Sequence, residues 1–337
     1  MYQLHWSEGV SKQATWLSGL LDFAQAAEVM DKVGQTTTVW RPAKVWGERL
    51  KHQEEIQQAI AMALPSREQS MPGEAKTQPR LGASLDGAMV PVRKEGWKEV
   101  KIGSVFKTEL RPTQDKETGE MVDLAQAVHT TYVAHLGGPR EFAQALWAEA
   151  RQRQWSRAAD TVIVADGAAW IWNIVEEHFY DSVQVIDWYH ASEPLGQAAN
   201  LVYGDGTPQA QTWRKEYEKV LFEGHAEQIT KRLDQLAKEK PKLAEGLRRE
   251  AGYFREQQRR MNYLELREEG YPIGSGTVES GCKQFKARFA AAGMRWNRDN
   301  LENLLPIRSA IMSQRFDPAW DSIPSAGTNC GFKKRPA

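Results

Sequence analysis

Two short runs decide the fold: Thr161-Val162-Ile163-Val164-Ala165, closed by Asp166-Gly167, and Val183-Gln184-Val185-Ile186, closed by Asp187. Each is almost continuously apolar and too short for a helix of ordinary length. A helical pattern through Trp170–His178 separates them. Strand, helix and strand with no polar alternation predict a parallel pair inside a sheet covered on both faces.

Working outward, the run Leu81-Gly82-Ala83-Ser84-Leu85-Asp86-Gly87 alternates apolar and small residues and predicts a further strand, ending at Asp86. Strand patterns follow at Lys98–Glu109 and His129–Leu136, then a helix over Pro139–Trp155 with Pro139 near its start. The fold class expected is therefore α/β, a mixed sheet with flanking helices. From 191 to 270 the pattern is helical and heavily charged, an all-α insertion. At Tyr271-Pro272-Ile273-Gly274-Ser275-Gly276 the chain breaks before a helix from Thr277, in a segment spanning 271–316. Residues 317–337 read as a tail.

The first 64 residues are helical in pattern. Trp16, Leu20 and Phe23, then Ala27 and Met30, recur at helical spacing. After Gly34-Gln35, Thr36-Thr37-Thr38 offers hydroxyl caps to a second helix through Val39, Trp40, Val45, Trp46 and Leu50. Two helices about a Gly-containing turn outline a helix-turn-helix, and Arg41 and Lys44 on the second are candidate DNA contacts. Pro42 falls within the first turn or so of that helix, where proline is tolerated near the first position and costly deeper in. Residues 65–80, with Pro65, Pro72, Gly73 and Pro79, read as a linker.

The 337 residues suffice for about two domains, and no apolar run approaches the roughly 18 residues of a membrane span. No basic cluster followed by an apolar core opens the sequence, so a cytoplasmic location is expected. Two cysteines, Cys282 and Cys330, exclude a disulfide framework and a cysteine-based zinc site. Lys+Arg and Asp+Glu are 44 each, so no net field draws in a polyanion. Charge is nevertheless uneven: between Lys283 and Arg315 stand seven basic residues and two acidic ones. Trp296, beside Arg295 and Arg298, is the tryptophan expected to approach DNA.

Three carboxylates carry the candidate chemistry. Asp86 and Asp166 close apolar strands, and Glu279 lies in the first turn of a helix. Each has a plain alternative as a turn or cap residue. Strand ends of a parallel sheet share a rim, however, and three acids there form an oxygen-donor site suited to Mg²⁺ or Mn²⁺. Two such ions support phosphoryl transfer between oxygens. Lys283 and Lys286 follow Glu279 on one helix face, as phosphate contacts or, for Lys283, as a surface partner of Glu279.

The stretches Ala165-Asp166-Gly167-Ala168-Ala169-Trp170-Ile171-Trp172, Asp187-Trp188-Tyr189-His190-Ala191, Arg260-Met261-Asn262-Tyr263, Gly274-Ser275-Gly276-Thr277-Val278-Glu279-Ser280 and Gly293-Met294-Arg295-Trp296 occur in this order. Together they resemble the DDE transposases of bacterial insertion sequences, in particular the ISKra-type group related to Mutator-like elements, over roughly residues 15 to 320. The resemblance implies a ribonuclease-H-like core at 81–190 and 271–316, interrupted by the helical insertion and preceded by a DNA-binding helix-turn-helix. It implies Asp86, Asp166 and Glu279 as the catalytic, metal-holding triad with two Mg²⁺ or Mn²⁺, and phosphate contacts from Lys283, Lys286 and Arg288. It places Asp187 and His190 near the site without making them main metal ligands; from the residues alone Asp187 is the rival of Asp166 as a ligand, because both end adjacent parallel strands. The partners implied are terminal inverted repeats and target DNA, with a homodimer or larger assembly pairing two ends. Pro194 and Gly196 depart from the family pattern where a helix normally continues. Two other readings stand beside this one: a ribonuclease-H-like nuclease that only hydrolyses, and a DNA-binding regulator with a decayed catalytic domain.

Overall fold

The computed structural model describes residues 7–35, 38–64, 79–114 and 120–323. Most of the expected linker, Cys330 and the basic residues Lys333, Lys334 and Arg335 lie outside them. The described chain is α/β, with one mixed sheet of five strands. These are β1 (Leu81–Val92), β2 (Gly96–Gln114), β3 (Met121–Leu136), β4 (Thr161–Ala165) and β5 (Val183–Ile186), in the order β3-β2-β1-β4-β5. The first three form an antiparallel meander; β4 and β5 run parallel to β1. All five residues of β4 are buried, because it has a neighbour on each side and helices on each face. That double burial is why its sequence shows no alternation.

β1 does not stop at Asp86. Its pairing with β4 is short, from Leu81 opposite Thr161 to Ala83 opposite Ile163, but its pairing with β2 continues to Val92. Ala88, Val90 and Val92 extend the buried face beyond the carboxylate. A three-residue connection, Arg93 to Glu95, then turns the chain into β2, with Lys94 in the left-handed region at φ 65° and Gly96 at φ 75°.

Helices close both faces. On one lie α4 (Pro139–Gln152) and α5 (Ala169–His178), joined to β4 and β5 by a core that includes Phe142, Leu146, Ile163, Ile171 and Phe179. On the other lie α11 (Gly276–Phe289) and α12 (Arg298–Met312), whose Val278, Phe285, Leu301 and Leu305 pack with Val90, Val100 and Ile102. The chain beyond 316 is not simply a tail: α13 (Phe316–Ser322) buries Trp320 in a stack on Trp46, ring centroids 3.5 Å apart.

At the N-terminus the apolar series through Trp16 and Phe23 is two helices rather than one, α1 (Glu8–Leu20) and α2 (Phe23–Lys32). Asp22 caps the second by accepting from the Gln25 N–H at 2.8 Å. Trp16, which shares the helical spacing of Leu20 and Phe23, is 43% exposed. The long α3 (Trp40–Ala63) tolerates Pro42 because its missing N–H falls in the first turn. Its Ala43, Trp46 and Leu50 join the core beneath α12. Gly47 permits the crossing, since a Cβ there would stand 2.1 Å from the Asn303 carbonyl oxygen.

Between β5 and α11 the described chain is helical: α6 (Trp188–Tyr203), α7 (Pro208–Phe222), α8 (Ala226–Glu239), α9 (Ala244–Gln257) and α10 (Tyr263–Glu268). α6 runs straight through Pro194, where the sequence pointed to an interruption. Proline cannot donate to the carbonyl four residues back, which is that of His190. The Tyr253 hydroxyl, from α9, donates to that oxygen instead, at 3.5 Å. Among the described residues no helix is long and apolar enough to cross a membrane.

Candidate functional site at the carboxyl end of the parallel strands

Asp166 follows β4 and Asp187 follows β5, so both stand at the carboxyl edge of the sheet. Asp86 reaches the same level from inside β1. Continuing the register from Ala83 opposite Ile163 brings position 86 level with 166, and Ala165 opposite Ile186 brings 166 level with 187. Asp86 is half-buried and accepts from its neighbouring Gly87 N–H at 2.6 Å. The Cys282 thiol, on α11, hydrogen-bonds Asp86, and burial with that carboxylate pushes the thiol far up from its ordinary range. One turn earlier on the same helix is Glu279.

Asp166 titrates above the ordinary carboxylate range. Burial is the main cause, and the nearby acids Asp86 and Glu99 add to it; the Ala168 N–H, donating at 2.8 Å, and His190 oppose it. Glu99 comes from β2 and is ion-paired to the buried Lys101, which lies 4.8 Å from the Trp170 ring centroid. Neither Glu99 nor Lys101 was identified from sequence. Only the antiparallel register, with Lys101 opposite Gly87, reveals them.

Asp187 has a different task. One carboxylate oxygen accepts from the N–H groups of Tyr189 at 2.8 Å and His190 at 3.0 Å, capping α6. The other accepts from the Ser275 N–H at 2.5 Å, immediately before α11. The Ser275 hydroxyl in turn donates to Glu279 at 3.3 Å. Asp187 is wholly buried and its carboxylate accepts from three backbone N–H groups, so it positions the Glu279 helix against β5. Among the described residues, Asp187, His190 and Glu279 form the one group of three whose ligand atoms all lie within 4.8 Å of one another. The expected set of Asp86, Asp166 and Glu279 does not form so close a group here.

Tyr253 was also missed from sequence. Its ring lies over the Asp166-Gly167 turn, where a Cβ on Gly167 would come within 2.5 Å of it. The Arg260-Met261-Asn262-Tyr263 motif docks the insertion on the sheet rather than reaching the carboxylates. Arg260 donates to Gln184 at 2.7 Å and stacks on Trp172 at 4.1 Å, and Tyr263 donates to the Ile186 carbonyl at 3.0 Å.

The expected DNA contacts divide. Lys283 and Lys286 are exposed on α11, and Lys283 makes no ion pair with Glu279 among the described residues. Arg41 and Arg295 are exposed, and Lys44 pairs loosely with Glu48 at 3.8 Å. Arg288 is corrected: it is buried, and its guanidinium donates to the Ser18 carbonyl at 2.9 and 2.7 Å, satisfying the last turn of α1. Burial pulls it down to about 10. Trp296 is likewise core, its indole N–H donating to the Phe289 carbonyl at 2.7 Å. Arg298 is committed to Glu95 through bonds of 2.9 and 2.6 Å.

No family model matches this sequence, and no curated protein matches it.

Proposed function

We propose that this chain is a transposase of the DDE type, built on a ribonuclease-H-like core, which cuts at the terminal inverted repeats of a mobile element and joins the freed ends to target DNA. The observation that carries the reading is the level placement of Asp86 and Asp166 beside β4, with the Glu279 helix drawn to the same rim by Asp187 and Ser275. The order of the five strands is compatible with that core.

In donor chemistry the set suits a hard divalent cation, since Asp86, Asp166 and Glu279 offer oxygens only, and positive charge would offset the neighbouring acids that add to the upward shift of the buried Asp166. Bound Mg²⁺ or Mn²⁺ would supply Lewis acidity toward a phosphodiester and lower the pKa of an attacking hydroxyl. Lys283 and Lys286 would hold phosphates beside the rim, Asp187 would keep α11 in place, and Tyr253 would cover the Asp166 turn.

The test is strand transfer with labelled DNA from the flanks of the gene, in Mg²⁺ or Mn²⁺, comparing the wild type with Glu279→Gln. Joining by the wild type alone, with end binding retained by the variant, is the expected result. Binding by both with no cleavage would overturn the reading in favour of a regulator. Sequence-independent nicking without joining would overturn it in favour of a nuclease.

A further inference from the structure

Away from the carboxylates, the molecule carries a groove whose chemistry the catalytic reading leaves unused. It consists of two adjoining cavities, of about 400 and 560 Å³, which share Arg93 and Arg295 in their walls. The first also holds Trp40 and Lys44; the second holds Trp97 and Lys94. Val92 lies six residue steps beyond Asp86 along β1, so the end of the strand at the Arg93 turn stands about 20 Å farther along the strand direction than the acids.

Three properties of the groove point to one ligand. Its indoles are open: Trp40 is 44% and Trp97 60% exposed, in a protein where Trp46, Trp147, Trp155, Trp172, Trp213, Trp296 and Trp320 are buried. Its charge is unspent. Among the described residues, the side chains of Arg93, Lys94 and Arg295 have no ion-pair or hydrogen-bond partner; Glu95, next to Lys94 in the chain, is taken by Arg298, and Asp22, the acid in the wall of the first cavity, accepts from the Gln25 N–H as the cap of α2. Its floor is fixed. The Arg93 N–H donates to the Trp296 carbonyl at 2.7 Å and the Trp296 N–H to the Pro91 carbonyl at 3.1 Å, which pins the 293–297 loop to the hairpin. Trp296 is buried in this bridge, and Arg295 before it is left facing outward.

A duplex offers cations its phosphates but no free base faces, since those are stacked on one another. Flat, open indoles flanking a cationic centre suit bases that have left the stack. The amides of Asn297 and Asn300, in the first cavity, are suited to base edges. We propose that this groove binds unpaired DNA, with bases stacked on Trp40 and Trp97 and phosphates held between them by Arg93, Lys94 and Arg295. The choice of DNA over another polyanion rests on the function proposed above; the groove itself does not depend on the catalytic acids.

The experiment is fluorescence anisotropy of the full chain with labelled oligothymidine, a matched duplex and oligouridine, over a range of salt. The wild type is expected to bind oligothymidine more tightly than the duplex, with quenching of its tryptophan emission. Trp40→Ala and Trp97→Ala should each weaken that binding about tenfold, with Trp40→Phe retaining most of it. Arg93→Ala and Arg295→Ala should each reduce the salt slope by about 0.7. Both indoles are exposed, so circular dichroism should show all variants folded. Equal oligothymidine binding by the wild type and both tryptophan variants would overturn the proposal, as would preference for the duplex or tighter binding of oligouridine. Glu279→Gln should bind oligothymidine normally, so loss of the groove and loss of the catalytic reading are separable.

Discussion

The hydroxyl of Tyr253 donates at 3.5 Å to the carbonyl oxygen of His190, the acceptor that Pro194 leaves without a helical donor. The helical insertion thus repairs the helix that opens it, one turn from His190. Burial and the neighbouring acids Asp166, Asp187 and Glu193 raise the phenol far above its ordinary range, so it remains a donor at every working pH. Tyr253→Phe should lower stability by about 1 kcal/mol. In a Pro194→Ala background, where the backbone N–H is restored, the same change should cost close to nothing. Urea denaturation of the four proteins in a double-mutant cycle measures the coupling; equal costs in both backgrounds would refute it.

Asp166 makes an opposite kind of prediction. Its carboxyl is raised in the folded protein, so the folded state binds more protons than the unfolded chain as pH climbs from about 3.8, and stability falls across that window. Asp166→Asn should therefore raise Tm at pH 7 without divalent cation, and the gain should vanish below the ordinary carboxylate range. Activity should be lost. Mg²⁺ should stabilise the wild type more than the variant. Thermal melts at pH 3.5, 5 and 7, with and without Mg²⁺, give each sign.

Glu54 carries a larger shift in a place unrelated to the rim. It faces a cavity of about 430 Å³ among α3, α4, α12 and β3, and burial, then Glu149 and Glu55, push it up to about 8. The other charged groups lining that cavity are Lys51, His135, Glu141, Glu302 and Arg315, of which Arg315 is already held by Glu149 at 2.9 Å. Stability should fall through the interval from 4.5 to about 8, by up to about 1.4 kcal/mol per pH unit from this group alone. Glu54→Gln should flatten that part of the profile and be most stabilising above pH 8. Denaturant titrations between pH 4 and 9 follow the difference.

Arg288 and Lys283 occupy one helix and should behave in opposite ways. Arg288→Met strands the Ser18 carbonyl and should cost about 2–3 kcal/mol of stability, with no change in the salt slope of DNA binding. Lys283→Ala should leave Tm unchanged and reduce that slope by about 1. A reversed pattern would return Arg288 to the surface.

What the sequence made legible follows from where each residue finds its partners. The strand β4 could be bounded to the residue because burial on both faces writes itself as a nearly unbroken apolar run; β5, an edge strand whose Val183 and Gln184 are only half-buried, is bounded by the helix pattern before it and Asp187 after it. β1 could not, since its pairing with β4 ends after Ala83 while its pairing with β2 continues to Val92, and Asp86 lies between those two limits. Asp166 and Glu279 stand out by their positions beside a strand end and a helix start. Glu99 and Lys101 do not, because they reach the rim only through the register of β2. Pro194 misled because the donor that repairs its helix comes from a different helix. Arg288 and Trp296 misled because a basic run does not tell an exposed cation from one whose acceptor is 270 residues away.

That separation bears on how the protein is made. The last carbonyls of α1 are satisfied by Arg288 and Arg308, 270 residues beyond Ser18 and 289 beyond Gly19. At roughly 5–20 residues per second of synthesis, α1 leaves the ribosome roughly 15–55 s before either guanidinium exists. Until then its carboxyl end has only water to bond. A nascent chain halted before α11 carries neither guanidinium, so the end of its first helix is completed only by the last elements to be made.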